Sequence, residues 1–338
     1  MSDDLVLRAG EPEDTERICA LLGAVFPDNP KARPEVYRWQ YWDNPFGAPS
    51  VWVWDDAGEL VGHGGLFPVP GLLDGRRVLL GHAADAATAA SHRGRGLYGR
   101  LNRLRYDAAA DRAIAVTMSL PNPEAWPGSA GAGLTQVGRV GAWVRPVDNA
   151  WLAERLRIPV MAAAALRRAA FPSWRAGRSG ELVPELPGGL DDLWDRNRHW
   201  SPCGISRDEA WWRWRYTAHP DAPYAYAVLR RSGRLAAAAA TRVVDRLLYV
   251  MDLLADDEDT ATGVLRAAVD EAGAVAGIVV IALPGTRLAH LAAAAGLRRL
   301  PRQLEPRPML LGVVAGTVHD GDLALRPWTV SWGDHDHV

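Results

Sequence analysis

Apolar runs and helical stripes alternate along the whole chain. Leu5-Val6-Leu7-Arg8 reads as a strand. From Glu11 to Phe26, Ile18, Leu21, Leu22 and Val25 recur on one helical face, and Cys19 beside them reads as a small buried hydrophobe. Pro34 opens a second helix that runs to Trp42, and Asn44-Pro45-Phe46-Gly47 ends it. Two strand-like runs, Val51 to Trp54 and Glu59 to His63, flank Asp55-Asp56-Ala57-Gly58, a hairpin signal. A third strand follows Leu73-Asp74-Gly75, within an apolar run from Val78 to Ala90. Leu97, Leu101 and Leu104 mark the next helix, Ile114 to Met118 the next strand, and Val137 to Val144 the strand that closes this sheet. Trp151 to Trp174 is helical and broken at Pro159; its apolar points Leu152, Leu156, Val160 and Leu166 make it a connector packed between two halves.

The second half repeats the first. Tyr37 to Pro45 lines up with Trp212 to Pro220, matching Arg38 with Arg213, Trp39 with Trp214, Tyr41 with Tyr216 and Pro45 with Pro220. The same offset, without a gap, carries Gly58-Glu59-Leu60 onto Gly233-Arg234-Leu235. Register kept through a hairpin points to duplication. The later elements are a strand at Leu247 to Leu254, helix Thr260 to Ala272, strand Gly277 to Ala282, helix Arg287 to Ala295, and a last strand at Met309 to Val314 that completes the second fold.

Composition narrows the possibilities. A chain of 338 residues with 48% hydrophobic content is comfortable as two globular units. Its net charge of −2 gives no basic field for nucleic acid. Cys19 and Cys203 are too few for a disulfide framework and suit a reducing cytoplasm. Asp3 and Asp4 begin a segment without the apolar core of a signal peptide, and no run reaches the length of a membrane span. The 15 tryptophans serve core packing or line an aromatic groove for substrate. The tail from Trp328 to His337 carries His335 and His337, but neighbouring positions of an extended tail rarely converge on one ion. A tail folded back by Trp328 and Trp332 is expected, with no metal site.

The candidate chemistry lies at Ser91-His92-Arg93-Gly94-Arg95-Gly96-Leu97. A glycine-rich turn here joins a strand to a helix start. Glycines let successive N–H groups face one cavity, the helix end adds partial positive charge, and Arg93 and Arg95 add fixed charge, which makes a phosphate cradle. It lacks the Gly-Lys-Ser/Thr ending of a nucleoside-triphosphate loop and the strand-end acid of a dinucleotide site. The segment Ala87 to Leu97 resembles the acyl-CoA pyrophosphate loop of the GNAT N-acyltransferases, Arg/Gln-x-x-Gly-x-Gly/Ala. Arg93 and Gly96 fit that pattern, and Tyr98 stands where the family has a small residue. Ser119-Leu120-Pro121-Asn122 and Gly131 to Gly138 resemble the family's next two segments in the right order.

The resemblance implies an α/β fold with a mixed sheet and two tandem GNAT-like domains. Residues 1–148 would bind acyl-CoA, 149–189 form the helical connector, and 190–338 complete the acceptor site. In the second domain the cradle is replaced by Asp256-Asp257-Glu258-Asp259, which would repel a pyrophosphate. By the same resemblance Ala86, Ala87 and Thr88 would hold the acyl carbonyl and pantetheine arm. Arg93, Gly94, Arg95, Gly96, Leu97 and Tyr98 would form the pyrophosphate loop, and Asn122 would face the thiol end. Candidate bases are His199, in a domain-junction loop, then Asp85 and His82 on the strand before the cradle. His63 stands in a glycine-rich strand. Trp126 occupies the region of the family's general-acid tyrosine, which leaves water to protonate the thiolate. The implied activity is transfer of an acyl group from acyl-CoA or acetyl-CoA to a small-molecule primary amine, without metal, nucleic acid or membrane. Composition and tandem architecture look similar to actinobacterial long-chain N-acyltransferases of glycopeptide-antibiotic aminosugars. An acetyltransferase of a small amine or amino acid, and a non-catalytic acyl-CoA-binding module, are the alternatives.

Overall fold

The computed structural model describes residues 5–27, 32–171, 173–174, 179–221, 223–305, 309–318 and 322–335. Asp3, Asp4 and His337 lie outside them. The first half runs β1 (Leu5–Ala9), α1 (Thr15–Val25), α2 (Pro34–Gln40), β2 (Ser50–Asp56), β3 (Glu59–Leu73), β4 (Arg76–Thr88), α3 (Leu97–Ala110), β5 (Val116–Ser119), α4 (Trp126–Gly131) and β6 (Thr135–Pro146). Helices α5 (Asn149–Leu156) and α6 (Val160–Ala170) follow. The second half runs β7 (Glu181–Val183), α7 (Leu190–Asn197), β8 (Gly204–Ile205), α8 (Glu209–Trp212), β9 (Ala225–Arg231), β10 (Arg234–Val244), β11 (Leu247–Ala255), α9 (Glu258–Glu271), β12 (Gly277–Ala282), α10 (Arg287–Ala294), β13 (Arg298–Arg299) and β14 (Met309–Ala315).

The duplication is visible in these bounds. Elements begin at 15 and 190, 34 and 209, 50 and 225, and 59 and 234. That is the 175-residue separation of Trp39 and Trp214, whose rings stack at 4.8 Å between centroids. Contact between equivalent residues places a local two-fold axis between the halves. Trp39 Nε1 also donates to the Trp214 carbonyl at 3.3 Å.

All these strands form one mixed sheet of order β1-β2-β3-β4-β5-β14-β6-β12-β11-β10-β9-β7, with β13 on β6 and β8 on β3. The order reads as the same sequence of equivalents from either end. The last strand, however, does not complete the second half, and Val137 to Val144 does not by itself close the first. Instead β14 lies between β5 and β6, antiparallel to both. β6 in turn pairs with β14 through Thr135 to Val140, then with β12 through Gly141 to Pro146. An alternating pattern predicts a strand but not its neighbour, and the twelve residues of β6 are enough for two partners in succession.

The main core crosses the two-fold, joining Ile18, Leu22, Tyr37 and Trp39 to Trp194, Trp211, Trp212 and Trp214. The tryptophans of this junction are packed core rather than the walls of an open groove. The connector is not packed between the halves. Its two helices pack on each other through Leu152, Ala153 and Ala163, while Leu156, Val160, Met161 and Leu166 are exposed. The tail does fold back: Trp328 is buried, and Trp332 lies edge-on against Tyr249 at 5.2 Å. Among the described residues no helix is long and apolar enough to cross a membrane.

Ending the chain at Glu305 removes β14 and exposes edges of both β5 and β6. The first half, whose own residues are untouched, is then expected to lose its cooperative unfolding transition and its near-ultraviolet tryptophan signal. A truncated chain that kept both would contradict the exchange.

Candidate active site

The loop singled out in the sequence sits at the open end of a wedge. β4 and β5 run parallel from Leu80↔Val116 to Ala83↔Ser119, where β5 stops. β4 continues to Thr88 with β3 beside it, Ala87 opposite His63 and Thr88 opposite Gly62. The backbone of Ala86, Ala87 and Thr88 therefore has no β5 residue beside it. A short turn, Ala90 to His92, follows and is held by His92 Nε2 to Asp56 Oδ2 at 2.9 Å. Arg93 Nε donates back to the Thr88 carbonyl at 3.3 Å. Gly94 and Gly96 both have φ of +75°, the left-handed region that glycine enters without strain. A Cβ on either would meet nothing within 4 Å, so the loop faces open space. Arg93 and Arg95 are exposed beside it. Gly96 is the N-cap of α3 and offers no side chain to the first-turn N–H groups. The result is an open, positively charged helix start with N–H donors facing solvent, the kind of surface that attracts an anion.

The equivalent junction of the second half is closed. Asp257 caps α9 by accepting from Thr260 N at 2.8 Å, as half of a capping box. Asp257 is paired with Arg231, and Asp256 with Arg196 at 3.1 Å. Here one of the first-turn donors is already satisfied by an acid.

The other residues expected at the loop divide. Leu97 is buried with Trp54, Val61 and Leu101, so it anchors α3 to the sheet. The Tyr98 ring turns away toward α4, where a Cβ on Gly128 would come within 2.4 Å of it, and its hydroxyl meets Ser129 Oγ at 3.0 Å. Asn122 is exposed and accepts from Ala125 N at 2.8 Å, fixing the turn before α4.

Asp85 lies on β4 just beyond its last residue paired with β5. It is part of a β-bulge in which β4 advances from Ala84 to Ala87 while β3 advances only from His63 to Gly65. Its φ is +52°, and it is half-buried. Gln40 Nε2 and the Tyr41 hydroxyl donate to its Oδ2 at 2.9 and 2.8 Å. Its carbonyl accepts from His63 Nδ1 at 2.6 Å. A carbonyl only accepts, so the proton is on Nδ1, and Nε2 accepts from the Tyr37 hydroxyl at 2.8 Å. On the far side, buried Arg105 of α3 donates to the carbonyls of Gly65 and Ala84, both at 3.0 Å. The bulge is thus clamped from α2 and from α3. Gln40, Tyr41 and Arg105 carried no signal of this in isolation. The repeat did carry one, because Tyr216, the equivalent of Tyr41, donates in the same way to Asp252 of β11.

His82 and His199 are not brought to the wedge. His82 is buried against Phe67, 4.9 Å between ring centroids, beside a cavity of about 10 Å³ between the halves. His199 is exposed, against Trp200 at 4.7 Å. A few residues on, the Pro202 carbonyl accepts from Gly75 N at the start of β4, whereas the loop is at its end. The thirteen residues of β4 span roughly 40 Å of extended chain. Position at a domain junction says nothing about which end of a strand a loop will meet.

Residues 6–132 match the family model described as an acetyltransferase (GNAT) domain. The fold as a whole resembles several solved structures at low sequence identity. A conserved protein of unknown function from Enterococcus faecalis, described as a probable N-acyltransferase, matches 93% of this chain over 73% of its own, at 12% identity and TM-score 0.65. A GCN5-related N-acetyltransferase from Anabaena variabilis matches 91% over 72% at 12% identity and TM-score 0.64, and one from Kribbella flavida 93% over 72% at 13% and 0.54. No protein of curated function matches the sequence. No group of three or more metal-ligating side chains occurs among the described residues.

Burial pushes His63 from its ordinary 6.5 down to about 4. The unfolded chain therefore takes up a proton near pH 6.5 that the folded chain refuses until about pH 4. Stability from this group is complete above pH 6.5 and falls by up to about 3 kcal/mol as pH drops to 4. His63→Gln can keep one donor and one acceptor, and it is expected to flatten this part of the urea-midpoint profile. An unchanged slope between pH 6.5 and 4 would refute the neutral, buried assignment.

Proposed function

We propose that this chain is an acyl-CoA-dependent N-acyltransferase acting on a primary amine of a small molecule. The observation that carries the reading is the contrast between the open glycine-arginine loop on α3 and the acid-capped start of α9. On this reading the first half is the catalytic copy of a duplicated GNAT fold and the second a partner copy that walls the acceptor side. Arg93, Arg95 and the first-turn N–H groups of α3 hold the pyrophosphate. The strand edge of Ala86, Ala87 and Thr88 that β5 does not cover holds the pantetheine arm and the acyl carbonyl. The thioester supplies an activated carbonyl and a thiolate leaving group.

Asp85 takes the proton that the amine loses as its nitrogen joins the carbonyl carbon. The bulge presents its carboxylate next to Ala86, and Gln40 and Tyr41 fix its orientation. The departing thiolate takes its proton from water. Tyr98 and Asn122 shape the α4 side of the wedge.

A long acyl chain on a bulky aminosugar acceptor would need an open apolar groove at the junction. There the tryptophans fill the space, and the cavity among Trp39, Trp211 and Trp214, about 10 Å³, has room for about one water. This favours a short acyl group, acetyl first, and a small amine.

Thiol release from acetyl-CoA and decanoyl-CoA, measured with a panel of primary amines, tests this. Acetyl-CoA is expected to be the better donor. Asp85→Asn should lower kcat by about 10²–10⁴ while leaving the KM for acetyl-CoA unchanged. Tight CoA binding with no amine-dependent release would instead mark a binding module.

A further inference from the structure

The second half keeps a wedge of its own. β11 and β12 pair in parallel only from Leu247↔Gly277 to Tyr249↔Val279, then part. A cavity of about 40 Å³ lies beyond, between Leu253 to Ala255 of β11 and Arg287, Leu288 and Leu291 of α10. Trp194, Trp200, Thr329 and Ser331 are among the residues that close it from α7 and the tail. The acidic start of α9 excludes the pyrophosphate ligand of the first half, so this space calls for a different occupant.

What burial leaves unspent here are donors. Trp194 is 2% exposed, and its Nε1 has no hydrogen-bond partner among the described residues. Arg287 Nε is likewise buried without one. The Arg287 guanidinium lies over the Trp200 ring at 5.1 Å, and Trp200 is half exposed, as at a rim. The carboxylate in the wall is already spent: Asp252 accepts from Arg207, Trp211, Tyr216 and Ser331. A buried donor without an acceptor is a standing cost that an incoming acceptor relieves. The size admits a group equal to two or three waters, and Leu253, Leu254, Leu288 and Leu291 line it with apolar surface.

We infer that this cavity is a second ligand site, for a small carboxylate whose oxygens meet Trp194 Nε1 and Arg287 and whose short apolar stem lies on the leucines. The inference does not depend on acyl transfer by the first half.

The test uses the ¹⁵N-labelled full chain and its tryptophan indole N–H signals. Trp194→Phe, which keeps a ring and removes the donor, identifies one signal by its loss. In the unsubstituted protein that signal is expected to shift saturably with sodium propionate, with a dissociation constant in the millimolar range. Arg287→Ala should weaken the binding about tenfold or more while the other indole signals stay in place. Arg95→Glu, in the loop of the first half, should leave it unchanged. A Trp194 signal that stays fixed up to about 100 mM propionate, that moves equally with sodium chloride, or that is indifferent to Arg287→Ala would overturn the assignment.

Discussion

The structure depends on one hydrogen-bonded placement, β14 between β5 and β6. Neither half completes its sheet without a strand from the other. The first half borrows the end of the chain, and the second half borrows the later part of β6. Sheet edges are costly to leave open, so the exchange converts two marginal half-sheets into one continuous sheet. The stacked Trp39 and Trp214 mark the same axis within the core. Together these contacts join the halves through both the sheet and the core.

Symmetry of fold is combined with asymmetry of chemistry. Both halves carry a parallel strand pair that opens into a wedge, and both aim a tyrosine from the helix before the hairpin at an aspartate on the bulged strand. The difference lies in how the next helix begins. Gly96 leaves the first turn of α3 unsatisfied beside two exposed arginines, whereas Asp257 satisfies the first turn of α9 and carries negative charge. The glycine-arginine turn and the acidic turn thus give the two helix starts opposite preferences for an anion. The tail then enters the second wedge, where Arg207 bridges Asp252 and Asp334 and Ser331 donates to Asp252.

Much of this was legible in the sequence, for identifiable reasons. The duplication showed through turn residues and an aromatic helix, which are local signals that keep their spacing. The loop showed because left-handed backbone at Gly94 and Gly96 demands glycine. The exchange of β14 was hidden, because alternation encodes a face and not a neighbour. His199 misled because nearness to a junction in sequence does not fix which end of a 13-residue strand it meets. Abundant tryptophan left core packing and an aromatic groove both open, and burial decides for the core: Trp39, Trp211 and Trp214 are 8%, 2% and 5% exposed and fill the space between the halves. The clamp of Asp85 by Gln40, Tyr41 and Arg105 depends on a bulge, which forms only when two strands of unequal count are paired.

The central claim is that one half of a symmetric fold binds the cofactor and the other does not. Calorimetric titration of the full chain with CoA tests it most directly. One site per chain, lost in Arg95→Glu, is the expected result. Two equivalent sites, or a single site that survives Arg95→Glu, would contradict it.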